Sequence, residues 1–195
     1  MLKARIAVMV SGGGTNLQAL IDAQKSGIIS HGEIVLTVSN NKGAYALTRA
    51  EENGIRSMVM TDEASLLKAL KEENIDMIVL AGFLKILSKE FIQGFGRPII
   101  NIHPSLIPSF CGKGCYGLHV HEKALEYGVK VTGATVHFVN EIPDGGTIIA
   151  QKAVEILDDD TPEVLQQRVM REAEWILLPA ATEKISMEIM KGRNN

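Results

Sequence analysis

An α/β fold built on a mostly parallel, Rossmann-like sheet is predicted by three features of the chain. Short apolar, β-rich runs alternate with helical runs through the first hundred residues. The first of those runs ends directly in a cluster of glycines. After residue 128 the alternation gives way to two long strand-like runs joined by a turn. One helix between successive strands calls for right-handed crossovers, which place helices on both faces of a parallel sheet. The later pair reads as a C-terminal antiparallel hairpin that extends the sheet, followed by a terminal helix.

Each element can be justified in order. "RIAVMV" (5–10) is a buried strand, and "NLQALIDAQK" (16–25) places Leu17, Leu20 and Ile21 at helical spacing. "EIVLTVSN" (33–40) is the second strand, and "AYALTRAEEN" (44–53) a helix closed by Gly54. "IRSMVM" (55–60) is a third strand, and "DEASLLKALKEEN" (62–74) a helix with Leu66, Leu67 and Leu70 on one side. "DMIVLAG" (76–82) and "RPIINIH" (97–103) are the fourth and fifth strands, separated by a helix around 88–94. "VKVTGATVHFVN" (129–140) and "GTIIAQKAVEIL" (146–157) form the hairpin, with "EIPDGG" at its tip. The terminal helix starts at an acidic or Thr cap with Pro162 in its first turn, and Pro179 should kink or divide it.

A chain of 195 residues is most simply one domain, 1–195, and can bury a substantial core without staples. Net charge is −3 and Lys and Arg are scattered, which argues against a nucleic-acid partner. No apolar run approaches the roughly 20 residues that span a bilayer. "IAVMV" is too short for a signal-peptide core, and two cysteines cannot build a secreted disulfide framework. A cytoplasmic protein acting on small molecules, without nucleic acid or membrane, is the expectation. Monomer and homodimer both remain open.

Chemistry should sit outside the carboxyl ends of the strands. "SGGGTNL" (11–17) follows the first strand, where glycines let backbone approach a ligand and Thr15 or Asn16 starts a helix. Free N–H groups there suit an anion. No Lys-Ser/Thr follows the glycines, and no acidic residue follows the second strand, so the loop fits one phosphate rather than a triphosphate or NAD. At the end of the fifth strand, Asn101 and His103 lie two residues apart and point the same way. An amide donates to a developing oxyanion and an imidazole shuttles protons. Asp144, in the hairpin tip, is a carboxylate able to orient such an imidazole and raise its pKa, although spacing alone favours an ordinary turn aspartate. His137 reads as a structural strand residue. His119 and His121 lack a third metal ligand. Cys111 and Cys115, spaced C-x₃-C, read as reduced thiols in a flexible Gly-rich loop.

The segments "SGGGTNLQALI", "AGFLKILS", "INIHPSLIPSF", "GATVHFVNEIPDGGTIIAQ" and "AEWILLP" occur in an order that resembles the folate-dependent glycinamide ribonucleotide formyltransferases. The resemblance covers essentially the whole chain. It implies the formyltransferase fold, with residues 1–103 as a phosphate-binding α/β half and 104–195 as a folate-side half. It also implies formyl transfer from 10-formyltetrahydrofolate, as co-substrate, to the amine of glycinamide ribonucleotide in purine synthesis, without metal or covalent enzyme intermediate. On that pattern Asn101, His103 and Asp144 are catalytic. Gly13, Gly14, Thr15, Asn16 and Glu174 receive the ribonucleotide. Leu84, Lys85, Ile86, Leu87, Asn101, Val139 and Asn140 receive the folate. Two departures stand out: "CGKGCYG" lengthens the loop after "LIPSF", and Lys68 stands where an arginine near the folate tail is familiar.

Three rival readings follow. A formyltetrahydrofolate hydrolase would be expected to carry an extra N-terminal domain. A methionyl-tRNA formyltransferase would be expected to carry a basic C-terminal domain. A non-catalytic phosphosugar-binding module would explain the glycine loop but not the polar cluster.

Overall fold

In the computed structural model, residues 2–193 are described. Seven strands form one sheet: β1 (Ala4–Val10), β2 (Gly32–Ser39), β3 (Arg56–Val59), β4 (Met77–Leu80), β5 (Ile99–His103), β6 (Val131–Phe138) and β7 (Ile148–Glu155). Their order is β3-β2-β1-β4-β5-β6-β7. The first five are parallel, β6 runs antiparallel to β5, and β7 antiparallel to β6. The helices are α1 (Thr15–Ser26), α2 (Tyr45–Glu52), α3 (Glu63–Glu72), α4 (Lys89–Phe95), α5 (Leu118–Tyr127), α6 (Pro162–Val169) and α7 (Trp175–Arg193). The predicted class and the succession of its strands are those of the structure.

Period-two alternation in β1 divides its side chains between two cores. Ile6, Val8 and Val10 pack with Leu17, Leu20 and Ile21 of α1 and with Leu178 and Ile185 of α7. Ala7 and Met9 pack on the other face with Leu66 and Leu70 of α3 and Phe91 of α4. A central parallel strand covered twice must be apolar throughout, which is why "RIAVMV" lacks the polar-out pattern of an edge strand. β7, at the edge, alternates exposed and sheltered positions instead.

Local chemistry sets the helix ends. Asp62 accepts from the Ser65 N–H at 2.8 Å, Ser88 from Phe91 at 3.0 Å and Thr161 from Val164 at 3.3 Å. Each satisfies an N–H that the first turn leaves without a helical partner.

Thr15 starts α1, as expected, with Gly14 as its cap at φ 74, and no side chain covers the first-turn N–H groups. A Cβ at Gly14 would lie 2.6 Å from Cβ of Ala46, so glycine there permits both the left-handed turn and the close approach of α2. The terminal helix does not break at Pro179, which lies inside α7. A π-helical turn, Met170–Glu174, separates α6 from α7 instead. It places the irregularity one turn ahead of the Trp175 carbonyl, the group Pro179 has no N–H to satisfy.

Candidate active site

The strand order reverses direction between β1 and β4, and that switch point opens a crevice outside their carboxyl ends. A cavity of about 710 Å³ fills it. The glycine loop after β1, the loop after β4, the end of β5, the 112–117 loop, the β6–β7 hairpin and the π turn all contribute to its wall. Backbone bonds fix these loops relative to one another. The Ser11 N–H donates to Gly82 O at 3.1 Å, and the Leu84 N–H donates to Ser11 Oγ at 2.8 Å.

Register brings the polar residues together. In the β5–β6 pairing Asn101 stands opposite His137, and His103 opposite Thr135. Asn101 Nδ2 lies 3.1 Å from His137 Nε2. The hairpin tip then folds back so that Asp144 faces both imidazoles. Its Oδ2 is 3.7 Å from His103 Nδ1, and its Oδ1 is 3.6 Å from His137 Nε2. Asp144 holds this position at φ 57, a left-handed conformation that aspartate tolerates better than most residues. Gly146 makes the fold-back possible: a Cβ there would fall 1.7 Å from Phe138 O.

Two backbone groups complete the cluster. The Phe110 carbonyl accepts from His103 Nε2 at 3.0 Å, which assigns the proton to that nitrogen. The Gly112 N–H donates to Asp144 Oδ2 at 2.8 Å. Likewise the Phe138 carbonyl, 2.8 Å from His137 Nδ1, accepts from that nitrogen, and His137 Nε2 faces both Asn101 Nδ2 and Asp144 Oδ1. Burial alone would push the Asp144 carboxyl up. The His137 hydrogen bond, the His103 charge and the Gly112 N–H outweigh it and hold the group below the ordinary carboxylate value.

The segment leaving β5 is pinned against the hairpin. Thr135 Oγ1 donates to Ser105 O at 2.6 Å and accepts from the Ile107 N–H at 3.1 Å. These bonds, rather than the prolines alone, keep the chain along the rim.

Gly13, Gly14, Thr15 and Asn16 line the cavity together with Glu174. Asn16 Nδ2 donates to Glu174 Oε2 at 2.6 Å across 158 positions of sequence. Burial drives the Glu174 carboxyl upward, against the opposing pull of that hydrogen bond. Leu84, Lys85, Ile86 and Leu87 face the same cavity, as do Val139 and Asn140. Leu84 is 59% exposed and Ile86 67%, an uncommon display of large apolar side chains beside a polar cluster. Every site residue expected from the sequence therefore borders one space. Lys68, in contrast, pairs with Glu72 on the surface of α3 at 3.9 Å.

His137, read from the sequence as a structural strand residue, lies beside both Asn101 and Asp144. The 111–117 loop is tied to the cluster through Gly112, and the adjoining Phe110 holds His103. His119 bonds Glu122 at 2.6 Å, and His121 is fully buried with neither ring nitrogen partnered among the described residues.

Residues 4–182 match the model of a family described as formyl transferase. The chain belongs to the formyl transferase family. A phosphoribosylglycinamide formyltransferase of Haemophilus influenzae is 40% identical over 184 residues, covering 90% of this chain and 84% of the relative. A chloroplastic phosphoribosylglycinamide formyltransferase of Arabidopsis thaliana is 39% identical, and a trifunctional purine biosynthetic protein of Drosophila melanogaster 43%. The chain spans 61% of the former and 13% of the latter. Among solved structures, the phosphoribosylglycinamide formyltransferase of Anaplasma phagocytophilum superposes with a TM-score of 0.87 at 37% identity, covering 95% of this chain and 88% of that one. Membership implies a folate-derived formyl donor. Among the described residues, no helix of this formyl transferase is long and apolar enough to cross a membrane.

Proposed function

We propose that the chain transfers the formyl group of 10-formyltetrahydrofolate to the amine of glycinamide ribonucleotide, giving formylglycinamide ribonucleotide and tetrahydrofolate in purine synthesis. The observation that carries this reading is the convergence, in one crevice, of an uncapped glycine-loop helix start with Asn101, His103 and Asp144. A phosphoribosyl amine needs the first, and acyl transfer to an amine needs the second.

The residues divide the work. The N–H groups around Gly13, Gly14 and Thr15 receive the phosphate, while Asn16 and Glu174 meet the ribose. The exposed apolar side chains of Leu84 and Ile86, with Leu87 and Val139, offer a slot that suits a flat pterin. The backbone of Lys85 and Asn140 borders its polar edge. As the amine adds to the formyl carbon, negative charge grows on the formyl oxygen. The carboxamide of Asn101, steadied by His137, and the imidazole of His103 are placed to receive it. The amine must lose a proton and the departing nitrogen must gain one. His103, flanked by the Asp144 carboxylate, is the group to relay it. Asp144 acts by holding His103 in orientation and supplying a fixed negative charge.

Residues 1–103 serve as the phosphate-binding half and 104–195 as the folate-side half, apart from the Leu84–Leu87 stretch and Asn101 on the folate and Glu174 on the ribose. We place the enzyme in the cytoplasm, acting on small molecules as a monomer or homodimer. The test is the absorbance change on tetrahydrofolate formation, measured with and without glycinamide ribonucleotide. Turnover that requires the ribonucleotide is expected. Turnover without it would point to a hydrolase, and none in either case to a binding module.

A further inference from the structure

The loop "CGKGCYG" contains the chain's only two cysteines, both partly accessible and neither in a disulfide. Cys111 immediately precedes one tight turn and Cys115 closes it. The Cys115 N–H donates to Gly112 O at 3.0 Å, and Gly112 and Gly114 take φ 82 and 81, conformations that glycine adopts without strain. Cys115 is among the groups that raise the Cys111 pKa, after burial and Asp144. Lys123 Nζ lies 3.2 Å from Cys115 Sγ and donates to Gly114 O at the same distance, so an attacking thiolate at Cys115 has a cationic neighbour. Cys111 Sγ sits against Pro108 O at 3.3 Å, on the inner side of the turn.

The turn is mechanically joined to the polar cluster. Cys111 lies between Phe110, whose carbonyl holds His103, and Gly112, whose N–H holds Asp144. Any rearrangement at Cys111 acts on both bonds. Phe110 itself sits at φ 49, a left-handed conformation that costs energy and persists only while its surroundings hold it.

We propose that Cys111 and Cys115 form a reversible dithiol–disulfide site, oxidised by a low-molecular-weight disulfide, whose closure releases the Phe110 and Gly112 contacts to His103 and Asp144. The Cys115 thiolate attacks the small disulfide, forming a mixed disulfide and expelling one small thiol. Cys111, having given up its proton, then attacks Cys115 Sγ and expels the second. Two protein thiols are oxidised, one small disulfide is reduced to two thiols, and no other electron carrier is needed. A dithiol reductant reverses both steps. The loss of turnover on oxidation rests on the formyl-transfer reading; the thiol chemistry does not.

The test uses the full chain with oxidised glutathione, followed by intact mass, non-reducing electrophoresis and turnover. The expected product is a monomeric chain two hydrogen atoms lighter, without bound glutathione. Its turnover should fall at least tenfold and return on adding dithiothreitol. Cys111→Ser and Cys115→Ser should each keep the reduced chain's activity. Cys115→Ser should be indifferent to the oxidant, whereas Cys111→Ser should stop at a stable Cys115–glutathione adduct. A chain that stays reduced, carries only glutathione, or links to a second copy would overturn the site. So would an internal disulfide that leaves turnover unchanged, since the coupling would then be absent. A disulfide that forms in a chain inactive even when reduced would support the thiol site while removing the formyl-transfer reading.

Discussion

His121 is fully buried, and burial, followed by the charge on His103, lowers its pKa to about 4. An unfolded chain takes up that proton near pH 6.5. Between pH 6.5 and 4 the unfolded state therefore holds the extra proton, and folding loses stability as pH falls, by up to about 3 kcal/mol. Urea denaturation at pH 7 and 4.5 should show this fall, and His121→Leu should flatten it; an equally steep fall in the variant would rule out His121 as its source. Glu174 works in the opposite sense. Its raised pKa means the folded state holds more protons above the ordinary value of 4.5. Stability then declines as pH rises, and Glu174→Gln should melt higher than the parent at pH 8 but not at pH 4. Asn101 and His103 were legible in the sequence because a strand end restricts where a side chain can point. Asp144 entered through the family resemblance, since spacing alone favours an ordinary turn aspartate. The contact of His137 with Asn101 was not legible, since it depends on the β5–β6 register, and a shift of one residue would turn His137 to the opposite face.

At the scale of elements, the hairpin tip carries the Asp144 carboxylate and Gly146 governs the tip. Cβ at residue 146 would strike backbone, which no side-chain rotation relieves. Gly146→Ala should displace Asp144 and reduce turnover on the order of 10²-fold, while far-ultraviolet circular dichroism stays close to the parent's. Unaltered turnover would mean the tip does not position the carboxylate. The α1 start behaves similarly: Gly14→Ala drives a methyl into Ala46 and should weaken ribonucleotide binding at least about tenfold by calorimetry. Helix and strand order could be read from periodicity, because each run matched one period. The π turn could not. "TPEVLQQRVMREAEWILLPAATEKI" is continuous in helical pattern, and an added residue in a helix leaves hydrophobic spacing almost unchanged. Pro179 signalled an irregularity but not its position.

Across the whole molecule, one sheet joins sites far apart in sequence. Glu174 meets Asn16 and Asp144 meets His103 because β1, β5, β6 and the π turn deliver their ends to one crevice. The C-terminal helix is tied to the sheet as well. Arg193 and Arg97 both bond Asp76, which is 4% exposed at the start of β4. That a crevice would open at the strand ends followed from the fold class. Its lining by loops far apart in sequence did not, because contacts over such separations depend on strand order rather than on local pattern. The most direct measurement is steady-state formyl transfer by Asp144→Ala across pH, with ribonucleotide binding followed by calorimetry. Turnover should drop by at least about 10³-fold with an altered pH profile, while ribonucleotide affinity stays near that of the parent. A variant with the parent's rate and pH profile would contradict the pairing of Asp144 with His103.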